Sequence, residues 1–320
     1  GHVTVVRGHM MSKDGGIQEY DWEGRLVWEY SPPSGYFGPH HDVFRKTNGN
    51  TLLICREEVP KKYREKAEDP RRRDLLYSDV ILEVTPDKKI IWDWHEYEYL
   101  DINRYNKIVA LSHWQEWPNT IPHNNTITDW THTNTVQALP ENKWYDEGDE
   151  RFKPGNILVS LRQLDLVLLV DRDTKRIVWD YTGDYKGGLS GPHEPYMIEK
   201  GMPGSGNILI FDNGASPYKD LVHTACSFVL EVNPISKKLV WKYENGEKFY
   251  STFTSSAQRL PNGNTFICSG GQARLFEVTS EGEIVWEYVN PLKSNSGYSV
   301  YRATRYSPEF VKPLLKKINK

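Results

Sequence analysis

Apolar residues fall in short runs, separated by Gly-Asn pairs or clusters of charge, and almost nowhere keep the three- and four-residue spacing of an amphipathic helix. Four runs open on Gly-Asn: GNTLLI (49–54), GNILVS (155–160), GNILIF (206–211) and GNTFIC (263–268). Each reads as a turn feeding a strand. A second phrase follows each: ILEVTPDKKIIWDW (81–94), LLVDRDTKRIVWDY (168–181), VLEVNPISKKLVWKY (229–243) and LFEVTSEGEIVWEY (275–288). The pattern is strand, polar turn, then a strand ending in Trp and a second aromatic, which is a β-hairpin. IQEYDWEGRLVWEY (17–30) is a fifth copy.

Repeats of roughly 45–65 residues with four short strands apiece predict a β-propeller. The expectation is an all-β chain, one propeller domain over residues 1–320, with Trp28, Trp92, Trp179, Trp241 and Trp286 marking five blades and the Trp of each VW pair, such as Trp179 and Trp286, packing between blades. The long segment 95–131 leaves room for a sixth, or serves as a rim or lid. The N-terminal copy lacks a strand that YSVYRATRY (298–306) is placed to supply, so pairing of the N- and C-terminal strands would close the sheet edges. The stretch 56–74, dense in mixed charge, reads as a solvated loop.

Bulk composition narrows the function. Of 320 residues, 40 are Lys or Arg and 43 are Asp or Glu, a net charge of -3 that gives no field to gather nucleic acid or an anionic membrane. Cys55, Cys226 and Cys268 form no zinc pattern. No run reaches the roughly 18 apolar residues of a membrane span, and GHVTVVRGHMM at the start is not a secretory core. The compartment stays open between periplasm and cytoplasm. Aromatics at 12% suit strands and the lining of a cavity for small aromatic molecules.

Histidines recur at one place in the repeat. GPHHDVF (38–44), THTNTV (131–136) and GPHEPYM (191–197) each precede the first strand of a repeat, whereas the matching TFTSSAQ (252–258) carries Ser255 and Ser256. In a propeller these positions face the central channel, so His40 or His41, His132 and His193 are expected at its mouth. On a strand, positions i and i+2 share a face, which sets Asn134 beside His132. Arg162 in SLRQLD adds fixed positive charge. Imidazole, amide and guanidinium together suit a compact oxyanion. Trp114, Trp117, Trp130 and Tyr250 are the candidate contacts for a planar substrate.

The order HHD, HTN, SLR with DRDTKRIVWDY, GPHEP with GNILIFDNG, then LPNGNTFICSGG with FEVTSEGEIVWEY resembles the bacterial arylsulfotransferase family over about residues 17–306. That resemblance implies a propeller that moves a sulfuryl group from an aryl sulfate to a phenol through a sulfated histidine, without the nucleotide donor PAPS. It matches His193 to the nucleophile, His132 and Asn134 to the H-x-N pair, Arg162 to the sulfate-binding arginine, and His40 or His41 to the remaining histidine. No cofactor is implied, and no P-loop is present. Two other readings stand beside it. One is a histidine-held metal centre giving a hydrolase, lyase or oxygenase, against which Asn134 is a weak ligand and Arg162 a repelling charge. The other is a propeller that binds a ligand without chemistry.

Overall fold

The computed structural model describes residues 2–7, 11–104, 128–214, 226–293 and 297–318. Its strands form five antiparallel sheets, and the fold is all-β, a five-bladed β-propeller. The described residues divide into two compact units, one of residues up to 104 with 128–136 and 305–318, the other of 137–304.

In the first unit, β1 (Val3–Arg7), β2 (Gly16–Tyr20) and β3 (Leu26–Tyr30) make one sheet. A second contains β4 (Tyr36–Phe37), β5 (Val43–Arg45), β6 (Thr51–Glu58), β7 (Tyr77–Val84) and β8 (Ile90–His95). Here β4 and β5 are two pieces of one broken strand, both paired with β6, and the break holds His40 and His41. Ile17 and Tyr30 of the first sheet pack on Leu53, Cys55, Val80 and Leu82 of the second, forming the core of this unit.

The strand β9 (Thr133–Ala138) runs from the first unit into the second and heads a sheet with β10 (Ile157–Leu161), β11 (Leu166–Val170) and β12 (Ile177–Tyr181). The fourth sheet is β13 (Pro192–Met197), β14 (Ile208–Asp212), β15 (Phe228–Val232) and β16 (Leu239–Tyr243). The fifth is β17 (Ser256–Arg259), β18 (Thr265–Ser269), β19 (Arg274–Val278) and β20 (Ile284–Val289). Strands in the middle of these sheets are buried on both faces, so they read as largely apolar runs, unbroken in β11 and with one polar residue each in β10, β14 and β15. Leu158, Val167 and Trp179 of the third sheet meet Ile208, Phe228 and Leu230 of the fourth, while Leu209, Phe211 and Tyr243 meet Ile267 and Phe276 of the fifth.

The repeated phrases have physical causes. Gly49, Gly155, Gly206 and Gly263 take φ between 84° and 90°, a left-handed turn that favours glycine. The Asn after it reaches across to a glutamate two strands on: Asn50 to Glu83 at 2.7 Å, Asn207 to Glu231 at 2.6 Å and Asn264 to Glu277 at 2.6 Å. The third copy, LLVDRD, has no such glutamate, and Asn156 accepts instead from the Arg172 backbone N–H at 3.1 Å. The hairpin Trp donates its indole N–H to a turn carbonyl of the next sheet: Trp28 to Pro86 at 2.9 Å, Trp179 to Pro234 at 2.8 Å and Trp241 to Ser280 at 2.7 Å.

Three expectations are corrected. Residues 298–304 form no strand; their backbone runs along the fifth sheet, where Ser255 N–H donates to Tyr301 O and Val300 N–H to Gly270 O, each at 3.0 Å. The first sheet accordingly has three described strands. The charged stretch 56–74 is not a plain solvated loop: it begins inside β6, contains short helices at Lys61–Arg64 and Pro70–Asp74, and buries Arg56, Glu57, Asp69 and Arg72. Trp286, read as a buried packing residue, is 40% exposed and leans on Phe266 and Tyr288.

Trp179, by contrast, is 3% exposed. Trp179→Ala should therefore destabilise the chain by about 3–5 kcal/mol, and Trp286→Ala by clearly less. Equal shifts in a denaturant melt would contradict the assigned packing.

Candidate functional site

The first unit gathers His40, His41 and His132 around two buried carboxylates. His41 and His132 each take a left-handed backbone, φ 60° and 48°. His132 thus precedes β9 rather than belonging to it, and strand alternation does not fix its face. Its direction is set by Asp129, three residues earlier, whose Oδ2 lies 2.5 Å from His132 Nδ1. The His41 ring stands edge-on to the His132 ring with centroids 4.8 Å apart. Asn134 is buried within β9 and accepts from the Thr135 hydroxyl at 3.1 Å.

Asp79, wholly buried on β7, organises the other side. Its Oδ1 meets His40 Nε2 at 3.0 Å, and its Oδ2 accepts from the Thr131 hydroxyl at 3.0 Å and the Thr133 N–H at 2.6 Å. His40 Nδ1 in turn lies 2.7 Å from His41 Nδ1. One of these two facing nitrogens must carry a proton for the rings to bond, since a bare imidazole nitrogen only accepts. Arg56, 3% exposed, lies between the carboxylates: it is bonded to Asp129 and stands 3.5 Å from Asp79. Burial opposes the ionisation of Asp79, but the charges on His40 and Arg56 and the hydrogen bonds from His40 and Thr133 outweigh it and hold the carboxyl below its usual range. Asp129 is likewise buried and likewise held low, by His132 and Arg56.

Glu96 is the counterweight. Fully buried, it is driven well above the usual carboxylate range by desolvation and then by the negative charge of Asp79, while accepting from the Thr133 hydroxyl at 2.5 Å. Neighbouring buried acids are thus shifted in opposite directions, Asp79 down and Glu96 up.

The second unit holds His193 and Arg162. The register between β13 and β14 shifts between His193 and Tyr196, and Glu194 takes φ 47°, which turns the chain at this point. His193, 4% exposed, places Nδ1 2.6 Å from Asn213 Oδ1 and 3.0 Å from Gly191 O. Arg162 opens a single 3₁₀ turn, Arg162–Leu164, directly after β10. Asp165 closes that turn and accepts the Gly191 N–H at 2.7 Å, tying the arginine's turn to the loop that presents His193. Glu194 pairs with Arg302 at 3.0 Å. Half-buried Tyr250 precedes Ser251, and burial raises its phenol.

Trp130 is 1% exposed, donates its indole N–H to Arg104 O at 3.2 Å and lies under the Arg72 guanidinium at 5.9 Å. Its place is in packing, with no ring face turned to solvent. Trp114 and Trp117, with most of the proposed lid, lie outside the described residues. Among the described residues no group of three or more His, Cys, Asp or Glu side chains is disposed to hold a metal ion. Sequence reading passed over Asp129, Asp79, Arg56, Glu96 and Asn213. The one local signal was Asp129, an acid three residues before His132.

A family model described as Arylsulfotransferase (ASST) matches residues 3–291, nearly the whole propeller. The chain belongs to the arylsulfotransferase family. No curated protein matches it. Among solved structures, a protein of unknown function from Bacteroides caccae is 16% identical, with 90% of this chain and 78% of that one covered and a TM-score of 0.47. Virginiamycin B lyase from Staphylococcus aureus is 10% identical, with 91% and 75% covered and a TM-score of 0.42. The place of this arylsulfotransferase-family chain rests on the family match alone.

Glu96 supplies a pH test. An acid whose folded pKa is raised stays protonated in the native chain while the unfolded chain ionises, so it withdraws stability as pH climbs from its ordinary range toward the folded value. Glu96→Gln removes that loss. The melting temperature of the variant relative to wild type should rise as pH climbs above the ordinary glutamate range. A difference that is flat or falls there would contradict the assignment.

Proposed function

We propose that this chain moves a sulfuryl group from an aryl sulfate to a phenolic acceptor in two steps, with His193 carrying the group between them. The observation that supports this most is the capture of His193 Nδ1 by two oxygen acceptors, which puts the ring's lone pair on Nε2. In the first step that lone pair attacks sulfur while the S–O bond to the aryl group breaks and its electron pair leaves on the phenolate. In the second, the acceptor oxygen attacks sulfur, the S–N bond returns its pair to Nε2, and the acceptor's phenolic proton passes to a base.

Arg162, whose turn is tied to the His193 loop, is assigned to the sulfuryl oxygens, the role the family resemblance implies for it. Donors aimed at charge that grows in the transition state are the largest lever available to such a site. His132 is assigned to the proton. With Asp129 as the acceptor on Nδ1, the tautomer that leaves Nε2 to take a proton is favoured. His40, backed by Asp79, orients His41. Trp114, Trp117 and Tyr250 remain the candidates for stacking on the aromatic ring.

Two outcomes test this reading. With an aryl sulfate donor and no acceptor, mass spectrometry should find a sulfuryl adduct on the peptide containing His193, absent in His193→Asn; wild-type turnover in that variant would remove His193 from the chemistry. His132→Ala should lower turnover about 10²–10⁴-fold while an activated donor still forms the adduct. Unchanged turnover would take His132 out of the proton step.

A further inference from the structure

We infer that Asn213 is the positioning residue that selects the reactive nitrogen of His193, and that an amide rather than a carboxylate stands there because the sulfuryl group must leave again. The inference rests on the reading of His193 as nucleophile and deepens it.

Asn213 has no exposed surface, and its orientation is fixed by groups with a single capability. Its side-chain Nδ2 donates to Ser251 O at 2.7 Å and to Thr254 O at 3.1 Å. Carbonyl oxygens only accept, so the amide nitrogen must face them and Oδ1 must face His193 Nδ1. Turning the amide over would set oxygen against two carbonyls and N–H against the histidine's own donor. A closed circuit resists that rotation: Asn213 O accepts from the Ser227 hydroxyl at 2.8 Å, the same hydroxyl accepts the Ser251 N–H at 2.8 Å, and Ser251 O takes the Asn213 amide. Gly191 O, a second pure acceptor, lies 3.0 Å from the same imidazole nitrogen. His193 thus keeps its proton on Nδ1 in every state, and the proton that comes and goes is the one on Nε2.

The chain holds its other site histidine differently. His132 Nδ1 is bound by the carboxylate of Asp129, which is held below its usual range, so the acceptor there carries charge. Asn213 gives His193 the same geometry without the charge. Nε2 stays less basic, and a less basic nitrogen is the better leaving group when the S–N bond breaks and its electron pair returns to the ring. The local device therefore favours release of the carried group over its storage.

The test uses the full chain labelled with ¹⁵N at histidine, without substrate. Long-range ¹H–¹⁵N correlations, with His193→Asn supplying the assignment, should show His193 protonated at Nδ1 and bare at Nε2 near neutral pH. In Asn213→Ala the Nδ1–H population should fall and the Nε2–H form appear, since Gly191 O at 3.0 Å is the longer of the two contacts. Asn213→Asp, nearly identical in shape, covers the case in which the alanine variant does not fold. Its His193 should titrate about one pH unit or more higher, retain donor-only adduct and turn over about tenfold more slowly or worse. An Nε2–H ring in wild type, a tautomer unchanged in Asn213→Ala, or an Asp variant that titrates and turns over as wild type would overturn the inference. An Nδ1–H ring lost in Asn213→Ala, in a protein that forms no adduct with any aryl sulfate, would uphold the positioning role and remove the sulfuryl reading instead.

Discussion

A buried imidazole cannot leave a nitrogen unsatisfied without cost, and that constraint governs both histidine groups. Once Nδ1 is committed to an acceptor, the chemistry of the ring is confined to Nε2. His193 is committed to Asn213 and Gly191, and His132 to Asp129. The identity of the acceptor, amide in one case and carboxylate in the other, is the difference on which the proposed split between nucleophile and base rests.

The fold supplies the rigidity this needs. The first strand of each of four sheets is interrupted or opened by a residue of positive φ: His41, His132, Glu194 and Ser255. Left-handed backbone costs such residues about 1–2 kcal/mol, and it is tolerated because neighbouring strands are buried on both faces and hydrogen-bonded throughout. Strain gathered at equivalent ends of the repeats, where the polar clusters also lie, is a common mark of function. In the first unit, Arg56 helps hold the carboxyls of Asp79 and Asp129 below their usual range out of water, while burial and the charge of Asp79 push Glu96 above its own.

The sequence made the repeats readable because the copies share local rules: a glycine turn, in three of them an Asn reaching a Glu, and a Trp closing a hairpin. The histidines were readable for a related reason, since they break the repeat at matching places. Their partners were not. Asn213 lies 20 residues from His193 and Asp79 lies 39 from His40, distances that only strand pairing closes. Arg56 was hidden in a run of charges whose first residues continue β6 into the core. The i, i+2 argument for His132 and Asn134 does not hold because His132 at φ 48° lies before the strand whose alternation it assumed. Trp130 shows the converse: aromatic and next to the motif, it is spent on packing.

In the proposed reaction the sulfuryl group rests on the protein between donor and acceptor. The most direct kinetic measurement is initial velocity with both aryl sulfate and phenol varied. A carried group requires donor product to leave before acceptor reacts, so double-reciprocal plots at several fixed acceptor concentrations should be parallel. Lines that intersect would show both substrates bound at once and the group passing directly between them, contradicting a histidine intermediate.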